Sequence, residues 1–133
     1  MASFRSIFAI MFIFLSVLNL QGCASTERER DLDFTLIKYE KALRWATLDE
    51  ASKYQKVPEE ISSSERKRMK SVKVTGYRTI STIVAEGEYS RLVEISFYNE
   101  STALERNLTV REDWVYDEDK SLWLLSSKLP RFK

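Results

Sequence analysis

The chain has 133 residues, with 21 Lys and Arg against 20 Asp and Glu, and no histidine. Without histidine there is no Ser-His-Asp triad, no histidine metal site and no histidine pH switch. Three glycines and the absence of GxGxxG and GxxxxGKS/T leave no Gly-rich phosphate loop, and the near balance of charge argues against nucleic-acid binding.

The amino terminus is short and carries one charge, Arg5. Residues 7–18 are almost wholly apolar, and the sequence turns polar at Asn19 and Gln21. A membrane-spanning helix needs roughly 20 apolar residues, so this shorter run reads as the middle of a secretory signal. Its end, Leu20-Gln21-Gly22-Cys23, carries the only cysteine of the chain.

Those four residues resemble the bacterial lipobox. The resemblance implies cleavage before Cys23, a diacylglyceryl thioether on its sulfur, and an acylated new amino terminus. It makes the protein a lipoprotein anchored in a bacterial cell envelope. Ala24 in place of an aspartate implies the outer membrane, facing the periplasm. Several acyl chains exceed the two signals that stable anchoring needs. A single cysteine leaves no internal disulfide to form.

Removing the first 22 of 133 residues leaves 111, with 20 basic and 20 acidic side chains once Arg5 is gone. That is one domain with one core. The division expected is a signal at 1–22, a short tether at 23–30 ("CASTERER"), and a single domain at 31–133.

Leu32, Leu36, Tyr39, Leu43 and Ala46 recur at helical spacing, with Phe34, Ile37 and Trp45 widening the stripe. They predict a helix over 31–46. Thr47-Leu48-Asp49-Glu50 fits a capping box opening a short helix to about Lys56. Ser62 to Glu65 fits another, opening a short basic helix. Arg66, Lys67, Arg68, Lys70 and Lys73 form the one charge run, a candidate for anionic headgroups.

From Ser71 the apolar period becomes two. Runs at 72–85, 88–98, 103–116 and 121–127 predict four antiparallel strands joined by short turns. Pairing 85 with 88, 98 with 103 and 116 with 121 sets Ile80 opposite Val93, Val93 opposite Leu108, and Trp114 opposite Trp123. One face then collects Val72, Val74, Ile80, Val84, Val93, Ile95, Phe97, Leu104, Leu108, Val110, Trp114, Trp123 and Leu125. A one-residue slip would mix the faces. The fold expected is α+β, with N-terminal helices packed on one face of a four-stranded meander. Helices followed by such a meander resemble the cone-shaped fold of nuclear transport factor and the ketosteroid isomerases; a cystatin-like sheet on one helix is the alternative.

The same register puts charged residues on the core face. Arg78 and Arg106 flank Ile95 and form a candidate anion grip, since arginine holds carboxylate or phosphate in a planar fork. Glu112, opposite Tyr89 and diagonal to Arg91, is a candidate pocket acid. The outer face keeps Tyr77, Ile83, Leu92, Tyr98, Val115, Leu122 and Leu124, a surface on which a second copy could dock. The function expected is an envelope lipoprotein that binds a ligand or an envelope partner without catalysis, with no cofactor and no metal. The alternatives are an isomerase-like enzyme and a structural accessory of a membrane complex.

Overall fold

The computed structural model describes residues 22–133. The signal segment and Leu20-Gln21-Gly22-Cys23 lie outside the residues whose side chains it describes. The elements in order are α1 (Gly22–Trp45), α2 (Leu48–Ser52), α3 (Ser63–Met69), β1 (Val72–Ala85), β2 (Glu88–Asn99), β3 (Leu104–Asp117) and β4 (Leu122–Leu125). The protein is α+β, and its four strands form one open antiparallel sheet in the order β1-β2-β3-β4.

Helix α1 begins at Gly22, nine residues before the expected start at 31. The segment expected to be a tether is helical. Ala24, Glu27, Arg28, Glu29 and Arg30 are all good helix formers. Arg28 also pins the segment to the sheet. It pairs with Glu118 at 2.8 Å, lies 4.6 Å from the Tyr116 ring centre, and its carbonyl accepts a hydrogen bond from Trp123 Nε1 at 2.9 Å.

Leu32, Leu36, Tyr39 and Leu43 are all buried. Each leucine contributes about 1.5–3 kcal/mol by leaving water. Tyr39 stacks edge-on against Trp114, with ring centres 5.1 Å apart. Phe34, Ile37 and Trp45 do not widen this stripe: they are 63%, 51% and 76% exposed. The sheet lies on one side of the helix only, and these three positions point the other way.

Thr47 caps α2 by accepting from the Glu50 amide at 3.1 Å, while the Glu50 side chain turns to Lys53 instead of closing the box. The box that opens α3 is complete, with Ser62 and Glu65 satisfying each other's backbone. After β4 the chain recrosses the core, burying Leu129 and Phe132; Phe132 meets Phe97 edge-on at 5.0 Å.

The strands fall within two residues of their expected ends, and the register departs from expectation in two ways. Both later hairpins pair two residues further along: Asn99 with Leu104, Ile95 with Leu108, and Trp114 with Leu125. The cause is the loop chemistry. Asn99 and Asp117 open each loop by accepting from Ser101 N and Lys120 N, and Ala103 and Ser121 close it with φ of 52°. A shift of two keeps every side chain on its expected face. Trp114 and Trp123 are therefore both buried, but Trp123 stands opposite Tyr116 and not opposite Trp114.

The second departure reverses faces. Strand β1 carries irregularities between Thr79 and Ser81 and between Val74 and Gly76. Each inserts one residue and flips the alternation. The two ends of β1 keep the expected phase, and residues 76–79 are inverted. Tyr77 stands opposite Ile95 on the core side, while Arg78 stands opposite Glu94 on the outside. Gly76 sits at the second irregularity, where an added Cβ would come within 3.2 Å of Ser96 Cβ.

Candidate functional site

The inversion of β1 builds the polar centre of the core. Glu112 on β3 stands directly opposite Arg91 on β2, not opposite Tyr89. It is 1% exposed, and Arg91 is 7% exposed. Arg91 Nε donates to Glu112 Oε2 at 2.7 Å. Trp114 Nε1 donates to the same oxygen at 3.3 Å. Tyr77 donates its hydroxyl to Glu112 Oε1 and accepts from Arg91 Nη2 at 3.2 Å. A buried carboxylate needs this many partners, because a lone buried charge is costly.

Burial raises the Tyr77 hydroxyl far above the usual tyrosine range, and the charge of Glu112 adds to it. Burial and then Glu112 do the same to Tyr39. Burial opposes the charge on Arg91, but Glu112 together with Tyr77 and Tyr89 outweighs it and holds the guanidinium above its ordinary value. No tyrosine here releases a proton near neutrality. The Tyr39 hydroxyl is buried and has no hydrogen-bond partner among the described residues. Glu112 lines neither of the two large surface grooves. Chemically, the cluster is a saturated ion pair that fixes three strands together.

The expected anion grip does not assemble. Arg78 is on the outer face and pairs with Glu94 at 2.8 Å. Arg106 is exposed opposite Phe97 and donates from Nη1 to the Lys133 carbonyl at 2.7 Å. The bulge at Ile80 accounts for the separation: it exchanges Arg78 for Tyr77 on the core side. Three of the five residues of the basic run, which extends from α3 into β1, are engaged as well. Arg66 makes a two-point contact with Asp49, Arg68 reaches the Phe132 carbonyl, and Lys73 lies 3.9 Å from Glu100. On the outer sheet face, Tyr77 is lost to the core side and Leu124 is buried, which leaves Ile83 as the most exposed apolar residue there.

Arg106 belongs to a different arrangement. It lines a groove of about 600 Å³ between β3 and the C-terminal tail, together with Arg111, Lys128, Arg131 and Lys133. Phe97, Leu108, Val110, Leu129 and Pro130 supply apolar walls, and no acidic side chain lines it. The tail residues were missed in the sequence. Their signal was "SKLPRFK", in which Leu129 and Phe132 turn inward while Lys128, Arg131 and Lys133 stay out. A second groove, about 590 Å³, lies between the start of α1 and the β1–β2 turn, where Val84 on the core side is left 74% exposed.

Among the described residues no group of His, Cys, Asp or Glu is placed to hold a metal. No protein-family model matches this chain, and searches of curated proteins and of solved structures gave no match either.

Proposed function

We propose that this is a cell-envelope lipoprotein, anchored through lipid on Cys23, whose domain binds an anionic ligand or an acidic segment of an envelope partner. The observation that carries the binding reading is the groove between β3 and the tail: five cationic side chains border its apolar walls and no acidic residue lines it, and although Arg111 is paired with Asp113 at 2.8 Å, Lys128 and Arg131 stand exposed at the rim. Arginine and lysine at such a rim hold anions by charge-assisted hydrogen bonds. The saturated Glu112 cluster favours binding over the isomerase-like alternative, because both oxygens of the one deeply buried carboxylate are already taken. The helix layer on one sheet face is in keeping with the cone-like resemblance, with the cystatin-like sheet as the other reading.

The test uses the mature chain carrying Cys23→Ser and a fluorescent oligoglutamate peptide. Binding should weaken steeply with salt and fall in Lys128→Ala and Arg131→Ala. An uncharged peptide bound equally well, or full binding in both variants, would refute the groove. Mass spectrometry of the protein from membranes checks the anchor: an unmodified Cys23 removes it.

A further inference from the structure

The outward side of α1 is unlike an ordinary solvated helix face. Phe34, Ile37 and Trp45 are exposed on it, and all three are large and apolar. Eleven residues are close to three helical turns, so Phe34 and Trp45 fall on one line along the helix. Arg30, Lys38 and Lys41 are interleaved with them and exposed. Asp31 and Asp33 lie at the margins of this face, Glu40, on the flank, is held by Arg44 at 3.0 Å, and the exposed Glu27, five turns before Trp45, falls on the face ahead of the stripe. From Arg30 to Trp45 the stripe is about 22 Å long. Position 23 lies eleven residues before Phe34, so helical spacing brings the anchoring position onto the same side.

We infer that α1 lies lengthwise on an anionic bilayer surface, with Phe34, Ile37 and Trp45 in the headgroup boundary and Arg30, Lys38 and Lys41 on lipid phosphates. Aromatic and aliphatic residues beside lysine and arginine are the composition of helices that lie in the interface. No described helix is long and apolar enough to cross a membrane, so α1 would meet a bilayer along its side. The inference rests in part on the Cys23 anchor, which places the helix at the membrane. The sheet then stands on the far side of α1 from the lipid.

Cys23 is the only cysteine, so a second one introduced elsewhere is a unique free thiol once the Cys23 sulfur carries its thioether. Phe34→Cys, Ile37→Cys and, as control, Ile83→Cys would each carry an environment-sensitive dye. The lipidated chains go into vesicles of phosphatidylglycerol with phosphatidylethanolamine, or of phosphatidylcholine alone. At 34 and 37 the dye should shift to the blue and be quenched by spin-labelled lipid in the anionic vesicles, while at 83 it should read water. Lys38→Gln with Lys41→Gln should lower the docked-to-undocked ratio about 25-fold. Water-like signals at 34 and 37, equal docking on phosphatidylcholine, or burial of the dyes only when envelope protein is added would each overturn the inference. The same probes in a Cys23→Ser chain, titrated with the same vesicles, read the face without the anchor. A blue shift there supports the inference even if lipidation fails, and no shift at any lipid concentration counts against it.

Discussion

Glu112→Gln keeps the shape of the buried cluster and removes its negative charge. Arg91, 7% exposed, would then be a buried cation without a counter-charge. Breaking such a pair from one side costs about 3–5 kcal/mol. A domain of this size is stable by about 5–15 kcal/mol, so the melting temperature should fall by roughly 12–30 °C. Arg91→Leu alone should cost a similar amount, since it strands the carboxylate. The double variant Arg91→Leu with Glu112→Leu behaves differently. It removes both charges, which is often close to neutral. What remains is the Trp114 indole N–H, buried without its acceptor, at about 1–3 kcal/mol; Tyr77, only partly buried, can turn its hydroxyl to water. The double variant should therefore be more stable than either single one. Urea unfolding of the unaltered protein, Arg91→Leu, Glu112→Leu and the double variant closes the cycle and measures the coupling. Additive losses, or a Glu112→Gln cost below about 1 kcal/mol, would show that the cluster does not hold the strands as the geometry implies.

Tyr39→Phe should leave stability unchanged or raise it by up to about 1 kcal/mol, because the lost hydroxyl has no partner; a large loss by thermal melting would mean that it has one. Trp114→Ala should cost about 3–5 kcal/mol in urea, as Trp114 is 1% exposed and packs on Tyr39. The Arg66 hydrogen bond holds the Asp49 carboxyl below its ordinary 3.8. The stabilisation this gives is present above about pH 4 and is lost as pH falls through the lowered value. Asp49→Asn should therefore flatten the acid limb of a melting-temperature profile, and an unchanged limb would rule out the assignment.

The layered fold was legible in the sequence because it rests on periods. Leu32, Leu36, Tyr39 and Leu43 mark the buried side of α1, and the strands alternate cleanly from Val93 to Phe97 and from Glu112 to Trp114. The pairing of the later hairpins was misjudged by two residues, although Asn99 and Asp117 carry the side chains that open such loops. What alternation cannot reveal is a bulge. The sequence at Thr75 and Ile80 has no local mark except the neighbouring Gly76. Keeping Arg78 inward would have buried a charge with no carboxylate opposite, while turning Tyr77 inward gives Glu112 a donor. That choice depends on a partner two strands away. The candidate grip failed for this reason, and the basic groove went unseen because its tail residues have no period of their own. Phe34, Ile37 and Trp45 were read as core because helical spacing shows which residues share a side, but not how far the sheet extends beneath it.

The unbroken run of α1 from Gly22 into the core has a consequence for changes of length near the amino terminus. In a slack leader an added residue is silent. In a continuous helix held at Arg28 it is indexed: one residue inserted between positions 23 and 28 turns residue 23 about 100° around the axis and moves it about 1.5 Å. Four, seven or eleven residues bring it back near its starting azimuth. Under the proposed anchor at Cys23, sequence variants of this protein should accordingly differ in that stretch by whole turns, and a single-residue insertion there should misdirect the domain while leaving its fold intact.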